Sequence, residues 1–289
     1  MEIISGLNQK KRHFCEIEIH SYLRDHYLEG KVILPAVESL IVLARAVKQN
    51  YQQTEINCLQ NAVFSRFLTI APDIGRQQVI VDMENSGNEI IAASLLISVK
   101  SKTGTISREV EHARVEFYTT DTKEFVTSHS HAVDKLKGDC ISVPSITIYR
   151  ELVPFGTAYR NIVGDLSVSS EGALAYLFGG DHEADEDLLG SPFPLDATMH
   201  AACVWGQRFA GIVSFPVGFE KRIIYKKTRK REEYLGRVVP VNMTRDVLIF
   251  DAWIYKDEVV CEYIKGLKMK DVTKGRMCPP DWIVVKSEG

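Results

Sequence analysis

Paired cysteines are missing from this chain. Its six cysteines (Cys15, Cys58, Cys140, Cys203, Cys261 and Cys278) are scattered and none forms a CxxC, which speaks against a zinc site or a disulfide framework and fits a reducing cytoplasm. Long apolar runs are missing too. No stretch approaches the roughly 20 apolar residues that span a bilayer, and none follows the basic residues of the N-terminal MEIISGLNQKKRHF as a signal peptide requires. No membrane association is expected. Charge of one sign is scarce: the net charge is −3, so nothing global points to nucleic acid. What is present is ordinary globular material, 45% hydrophobic and 25% charged over 289 residues, enough for one large domain or two joined ones.

The pattern along the chain repeats. Phe14 to Ile19 alternates as a strand does. Pro35 then opens a buried helix, Ala36 to Val47, too long for a strand and rich in Leu and Ala; a proline suits its first turn, where a missing N–H costs nothing. Strand-like runs follow at Ile56–Ile70, Gln77–Met83, Ile90–Val99 and Ile106–Tyr118. A polar stretch, Thr119 to Val143, reads as a surface linker whose His129 and His131 are solvated. The second half then reads as strands at Tyr159–Val168 and Ala173–Phe178 and an acidic loop at Asp181–Asp187. Pro192 and Pro194 precede a helix over Leu195–Phe209, and four strands follow near Ile212–Tyr225, Tyr234–Val241, Val247–Tyr255 and Val259–Met269. The expected class is α+β: two tandem antiparallel sheets, each wrapped around a central helix. The expected boundaries are 1–120, a linker over 121–142, and 143–289.

Chemistry-bearing residues fall at matching places in the two halves. His26, Gly30 and Pro35 form HxxxGxxxxP, and Asp196 and His200 form DxxxH. With 8 His, 19 Gly and 10 Pro in the chain, the first pattern arises by chance in about two such chains per hundred. The second is common, and its value lies in its position at the second helix.

With these motifs the chain resembles the dehydratase domains of modular polyketide synthases and the related polyunsaturated fatty acid and enediyne synthases. Their marks are HxxxGxxxxP, a YGPxF-like turn opening the second half, and DxxxQ or DxxxH on the second helix. The turn stands here as Phe155-Gly156-Thr157-Ala158-Tyr159. Phe215–Glu220 and Glu262–Leu267 also look like that family, and the likeness covers about residues 10 to 275. It implies a double hot dog fold and elimination of water from a β-hydroxyacyl thioester. It implies no cofactor beyond the phosphopantetheine arm of an acyl carrier protein, carrier and synthase components as partners, and a homodimer whose interface the sequence does not reveal. Phe155 replaces the family tyrosine and lacks its hydroxyl, which bears on substrate geometry more than on dehydration.

The residue types suit that reaction. A histidine with an ordinary pKa near 6.5 can take the α proton, the role the motif assigns to His26. A carboxylic acid can give a proton to the leaving hydroxyl only where burial keeps it protonated, and Asp196 has the apolar neighbours Pro194, Leu195, Ala197 and Met199. His200, at i+4, can orient it. Backbone N–H groups near Gly30 to Leu34, ahead of the first helix, are expected to hold the thioester carbonyl.

Plainer roles stand beside these: a turn for Gly30, a helix cap for Asp196, a buried hydrogen bond for His200. Without further ligands, no metal is expected at His26, Asp196 and His200. The basic run Lys226–Arg231 is either a docking surface for an acidic carrier protein or an exposed hairpin tip. Two further functions share the fold and the His–Asp pair, a product-template-type cyclase and an enoyl isomerase. A non-catalytic acyl-binding module has no need of that pair.

Overall fold

The computed structural model describes residues 9–85, 90–100, 107–118, 135–181, 188–244 and 246–285. Most of the expected linker, with His129 and His131, and nearly all of the acidic loop lie outside these residues.

The first half runs β1 (Gln9–Glu18), a 3₁₀ turn (Ser21–Asp25), a small hairpin of β2 (Tyr27–Leu28) and β3 (Lys31–Val32), and α1 (Ala36–Asn50). Strands β4 (Cys58–Phe64), β5 (Arg76–Asn85), β6 (Ile90–Lys100) and β7 (Ser107–Tyr118) follow. The second half begins with β8 (Ile141–Pro144), a single helical turn α2 (Ser145–Thr147) and a π turn (Ile148–Leu152). After a 3₁₀ turn (Thr157–Tyr159) come β9 (Ile162–Ser169), β10 (Gly172–Phe178) and α3 (Pro192–Phe209). Last come β11 (Phe215–Ile224), β12 (Glu233–Met243), β13 (Val247–Lys256) and β14 (Val259–Lys270).

Twelve strands make one sheet, in the order β1-β5-β6-β7-β4-β11-β14-β13-β12-β10-β9-β8. The neighbours pair antiparallel, and β4 against β11 joins the halves. The order 1-5-6-7-4 in the first half is matched by 10-12-13-14-11 in the second, with β9 and β8 added outside. Each run wraps its own long helix, and the two helices touch. This is the double hot dog arrangement. Leu40, Leu43, Ala44 and Val47 bring the buried face of α1 to zero exposure. In α3 every residue from Pro192 to Gln207 is buried, as befits a helix enclosed all round.

Local corrections have local causes. Pro35 is the N-cap of α1, with extended backbone at φ −59 and ψ 149, rather than part of its first turn. Pro192 and Pro194 lie inside α3, with a proline in its first turn, where the missing N–H is free of cost. The long run Ile56–Ile70 yields a strand only over Cys58–Phe64. Tyr159 ends a 3₁₀ turn, before β9 begins. The basic run Lys226–Arg231 is not a hairpin tip: it connects β11 to β12, which are not neighbours in the sheet, and its Thr228 is fully buried.

That threonine belongs to a buried network setting the start of α3. Arg222 donates to Glu262 at 2.8 Å and to the Leu189 carbonyl at 3.4 Å. Thr228 Oγ1 lies 3.0 Å from the Ser191 carbonyl and 3.3 Å from Glu262, and the Ser191 N–H donates to the Thr228 carbonyl at 2.9 Å. Burial pushes the Glu262 carboxyl up, and Arg222 pulls it back. Removing one partner of a buried pair strands the other's charge. Arg222→Met is therefore expected to cost about 3–5 kcal/mol in urea unfolding, and a loss below ~1 kcal/mol would show that the network is not under load.

Candidate active site

His26 is held by its own loop. The 3₁₀ turn closes with its N–H on the Leu23 carbonyl at 3.3 Å. The chain then reverses through Glu29 and Gly30, at φ 48 and 74, a two-residue hairpin turn of the type that needs positive φ at both places. The return brings the Ile33 N–H to the His26 carbonyl at 2.9 Å and the Ile33 carbonyl to His26 Nδ1 at 3.1 Å. A carbonyl only accepts, so Nδ1 carries the ring proton and Nε2 keeps its lone pair. Burial pushes the imidazole down to about 4, against the opposing pull of Asp196's charge. The ring is neutral at pH 7.

A clasp between the halves fixes this ring. His26 stacks on Phe155, with centroids 4.3 Å apart and planes at 21°, and meets the edge of Tyr159 at 5.0 Å. Next to His26, the Asp25 carbonyl accepts the Gly156 N–H at 2.8 Å and its carboxylate accepts the Ala158 N–H at 2.9 Å. Gly156 is required because a Cβ there would overlap the Asp25 carboxyl. Gly156→Ala should open the clasp at a cost of ~1–3 kcal/mol, as other overpacked contacts do, and lower turnover with it. Unchanged thermal stability and turnover would show that the contact yields freely.

Asp196 lies within α3, five residues beyond the N-cap Ser191, so it does not cap the helix. It is 5% exposed and His200 4%. His200 Nε2 comes within 3.0 Å of Asp196 Oδ2, at an angle that makes no directed hydrogen bond. Behind His200 stands Tyr149, a residue the sequence did not flag. Its oxygen accepts the Ile162 N–H at 2.8 Å and lies 3.4 Å from His200 Nδ1. Burial pushes the Tyr149 phenol up, so it stays protonated. With its oxygen already accepting, the hydroxyl proton points to Nδ1, and Nε2–H faces the carboxyl. Phe155 spans the gap, its ring 5.1 Å from that of His200.

These groups line one cavity of about 530 Å³. His26, Gly30, Phe155, Asp196 and His200 all border it, together with apolar Leu152, Met199, Val213 and Phe215. Pro35, Gly156 and Tyr159 do not line it and act from behind. Two of the amides expected to hold a carbonyl are already spent: Ile33 N–H on His26 and Leu34 N–H on Leu68, at 2.9 and 2.8 Å. Gly30 serves the turn. The opening turn of α1, which no side chain caps, has Ala36 on the cavity wall, and the first amides of a helix have no partner within it. Cys203 also lines the cavity, but burial pushes its thiol up to about 11, so it is no ready nucleophile. Among the described residues no group of three or more His, Cys, Asp or Glu is placed to hold a metal ion, and no helix is long and apolar enough to cross a membrane.

No protein-family profile matches the chain, and no curated protein matches it. Solved structures do. The fold is that of polyketide synthase dehydratase domains, over about nine-tenths of the chain. The dehydratase domain from the CurF module of curacin polyketide synthase matches with a TM-score of 0.70 and 19% identity, covering 92% of this chain and 95% of that one. An N-terminal dehydratase from the difficidin assembly line gives 0.68 and 15%, over 91% and 94%. An isomerase-inactive variant of the GphF DH1 domain gives 0.66 and 12%, over 93% and 94%. At such identities the likeness is one of fold, and the residues above must carry the chemistry.

Proposed function

We propose that this chain is a dehydratase, removing water from a β-hydroxyacyl thioester on the phosphopantetheine arm of an acyl carrier protein, in polyketide or fatty-acid-type biosynthesis. One observation carries the reading: a neutral imidazole and a carboxyl from opposite halves of the chain border one cavity with a largely apolar wall. In the reaction, His26 Nε2 takes the α proton and the freed electron pair becomes the Cα=Cβ bond. The Cβ–O bond breaks, and the hydroxyl leaves as water with a proton from Asp196. His200, backed by Tyr149, orients that carboxyl. The opening amides of α1 polarise the thioester carbonyl, where negative charge develops as the α proton leaves. No cofactor takes part beyond the carrier arm. The apolar wall of Leu152, Met199, Val213 and Phe215 suits an acyl chain.

The test is mass spectrometry of a panel of 3-hydroxyacyl thioesters on carrier protein or pantetheine. We expect loss of one water and an α,β-enoyl product. A ring-closed product or a migrated double bond without water loss would point instead to a cyclase or an isomerase on the same pair.

The pH dependence follows from His26. Its base form prevails above about 4, so the acid limb of kcat/KM should fall as pH drops through that value. Stability shares the cause. The unfolded ring binds a proton near 6.5 and the folded one near 4, so the unfolded chain gains protons first as pH falls. Stability is complete above 6.5 and declines by ~3 kcal/mol towards pH 4. Urea unfolding at neutral and acid pH, with His26→Phe as control, measures this; an equal acid slope in both proteins would contradict it.

A further inference from the structure

From Val37 to Ala44 every residue of α1 is buried, and Glu38, at 7% exposure, is the one charge-bearing side chain among them. A carboxyl taken out of water needs a compensating donor. Tyr22 supplies one: its hydroxyl donates to Glu38 Oε1 at 3.1 Å, and both residues are buried. The elimination described above uses neither group.

The hydrogen bond joins two parts of the site. Tyr22 lies in the 3₁₀ turn Ser21–Asp25, which the His26 N–H closes. Glu38 lies in the first turn of α1, two residues after Ala36 on the cavity wall. One buried link therefore ties the turn that carries the base to the helix end assigned to the thioester carbonyl. The Tyr22 ring braces the same region from the side. It meets Phe193, on α3, edge-on at 5.8 Å and lies 6.4 Å from Tyr159, whose ring meets His26 at 5.0 Å. Both helices and the clasp converge on this one side chain. The Tyr159 hydroxyl is buried with no hydrogen-bond partner among the described residues, so Tyr22, not Tyr159, makes the polar link to Glu38. Rates depend steeply on such spacing: a misplacement of about 1 Å can cost 10²-fold.

We propose that Glu38 and Tyr22 are positioning residues, their hydrogen bond a strut that fixes His26 Nε2 relative to the opening amides of α1, and so the base relative to the carbonyl beside the α carbon. The inference rests on the dehydratase reading, and one arm of its test does not. In the elimination assay Tyr22→Phe, which keeps the ring and should stay folded, should lower kcat by about 10–10²-fold and leave KM almost unchanged. Glu38→Ala should match it, and the double variant should be no slower than either single one. Glu38→Gln, whose carbonyl oxygen can accept the same hydrogen bond, should restore wild-type turnover. The second arm follows the His26 Nδ1 proton, held on the Ile33 carbonyl, by NMR of the full chain labelled in histidine. Its exchange with water should quicken by about tenfold in Tyr22→Phe, as local opening becomes easier, and stay as in wild type in Glu38→Gln. Wild-type turnover and exchange in Tyr22→Phe would overturn the proposal. So would a Glu38→Gln chain as slow as Glu38→Ala, since charge rather than the hydrogen bond would then matter. If the wild-type chain eliminates no water, the dehydratase reading fails, and the exchange arm alone decides whether the strut holds His26.

Discussion

Replacing Asp196 by Asn should lower turnover of a 3-hydroxyacyl thioester by about 10²–10⁴-fold, the usual contribution of a positioned acid or base. Asparagine has nearly the same shape, and its carbonyl oxygen can still face His200 Nε2–H, so the 3.0 Å approach need not change. What is lost is the proton for the departing hydroxyl. Fold and substrate binding should persist, putting the loss in kcat more than in KM. A fall in both stability and kcat would instead mean that the carboxyl holds α3 in place. Turnover within a few-fold of wild type would remove Asp196 from the chemistry.

His26→Phe should cause a loss of similar size for a different reason. Phenylalanine keeps the ring that stacks on Phe155 at 4.3 Å and discards the Nε2 lone pair. It also discards the Nδ1 hydrogen bond to Ile33, a cost of about 1 kcal/mol, so the protein should stay folded. The acid limb in stability should disappear with the imidazole. Because the two groups act on one substrate in one step, the double variant should be little worse than either single one. Losses that multiply fully would indicate independent roles and argue against a concerted pair.

The halves, their helices and the catalytic candidates were legible in the sequence. Apolar runs of helical length differ from alternating strands, and HxxxGxxxxP carries its own turn chemistry. What surrounds the candidates was not legible, because it is built from contacts between distant residues. Tyr149 reaches His200 across 51 positions, and Asp25 clasps Ala158 across 133. No periodicity announces either. Arg222 and Glu262 sit in strands among other charges, and only the fold buries them together as a pair. The two-residue strands β2 and β3 are too short to show alternation, so the sequence left Gly30 between a turn and a substrate-facing backbone; its positive φ serves the turn, and it also borders the cavity. The expectation for the Ile33 and Leu34 amides failed likewise: their partners, one across the hairpin and one on the chain near β4, are fixed only in the folded state.

The most direct test of the central claim is a crystal structure of the His26→Phe chain with a 3-hydroxyacyl pantetheine thioester bound. The account predicts the 3-hydroxyl within hydrogen-bond reach of Asp196, about 2.6–3.2 Å, and the α carbon against the ring at position 26. A thioester lying with its hydroxyl turned away from Asp196, or held outside this cavity, would contradict it.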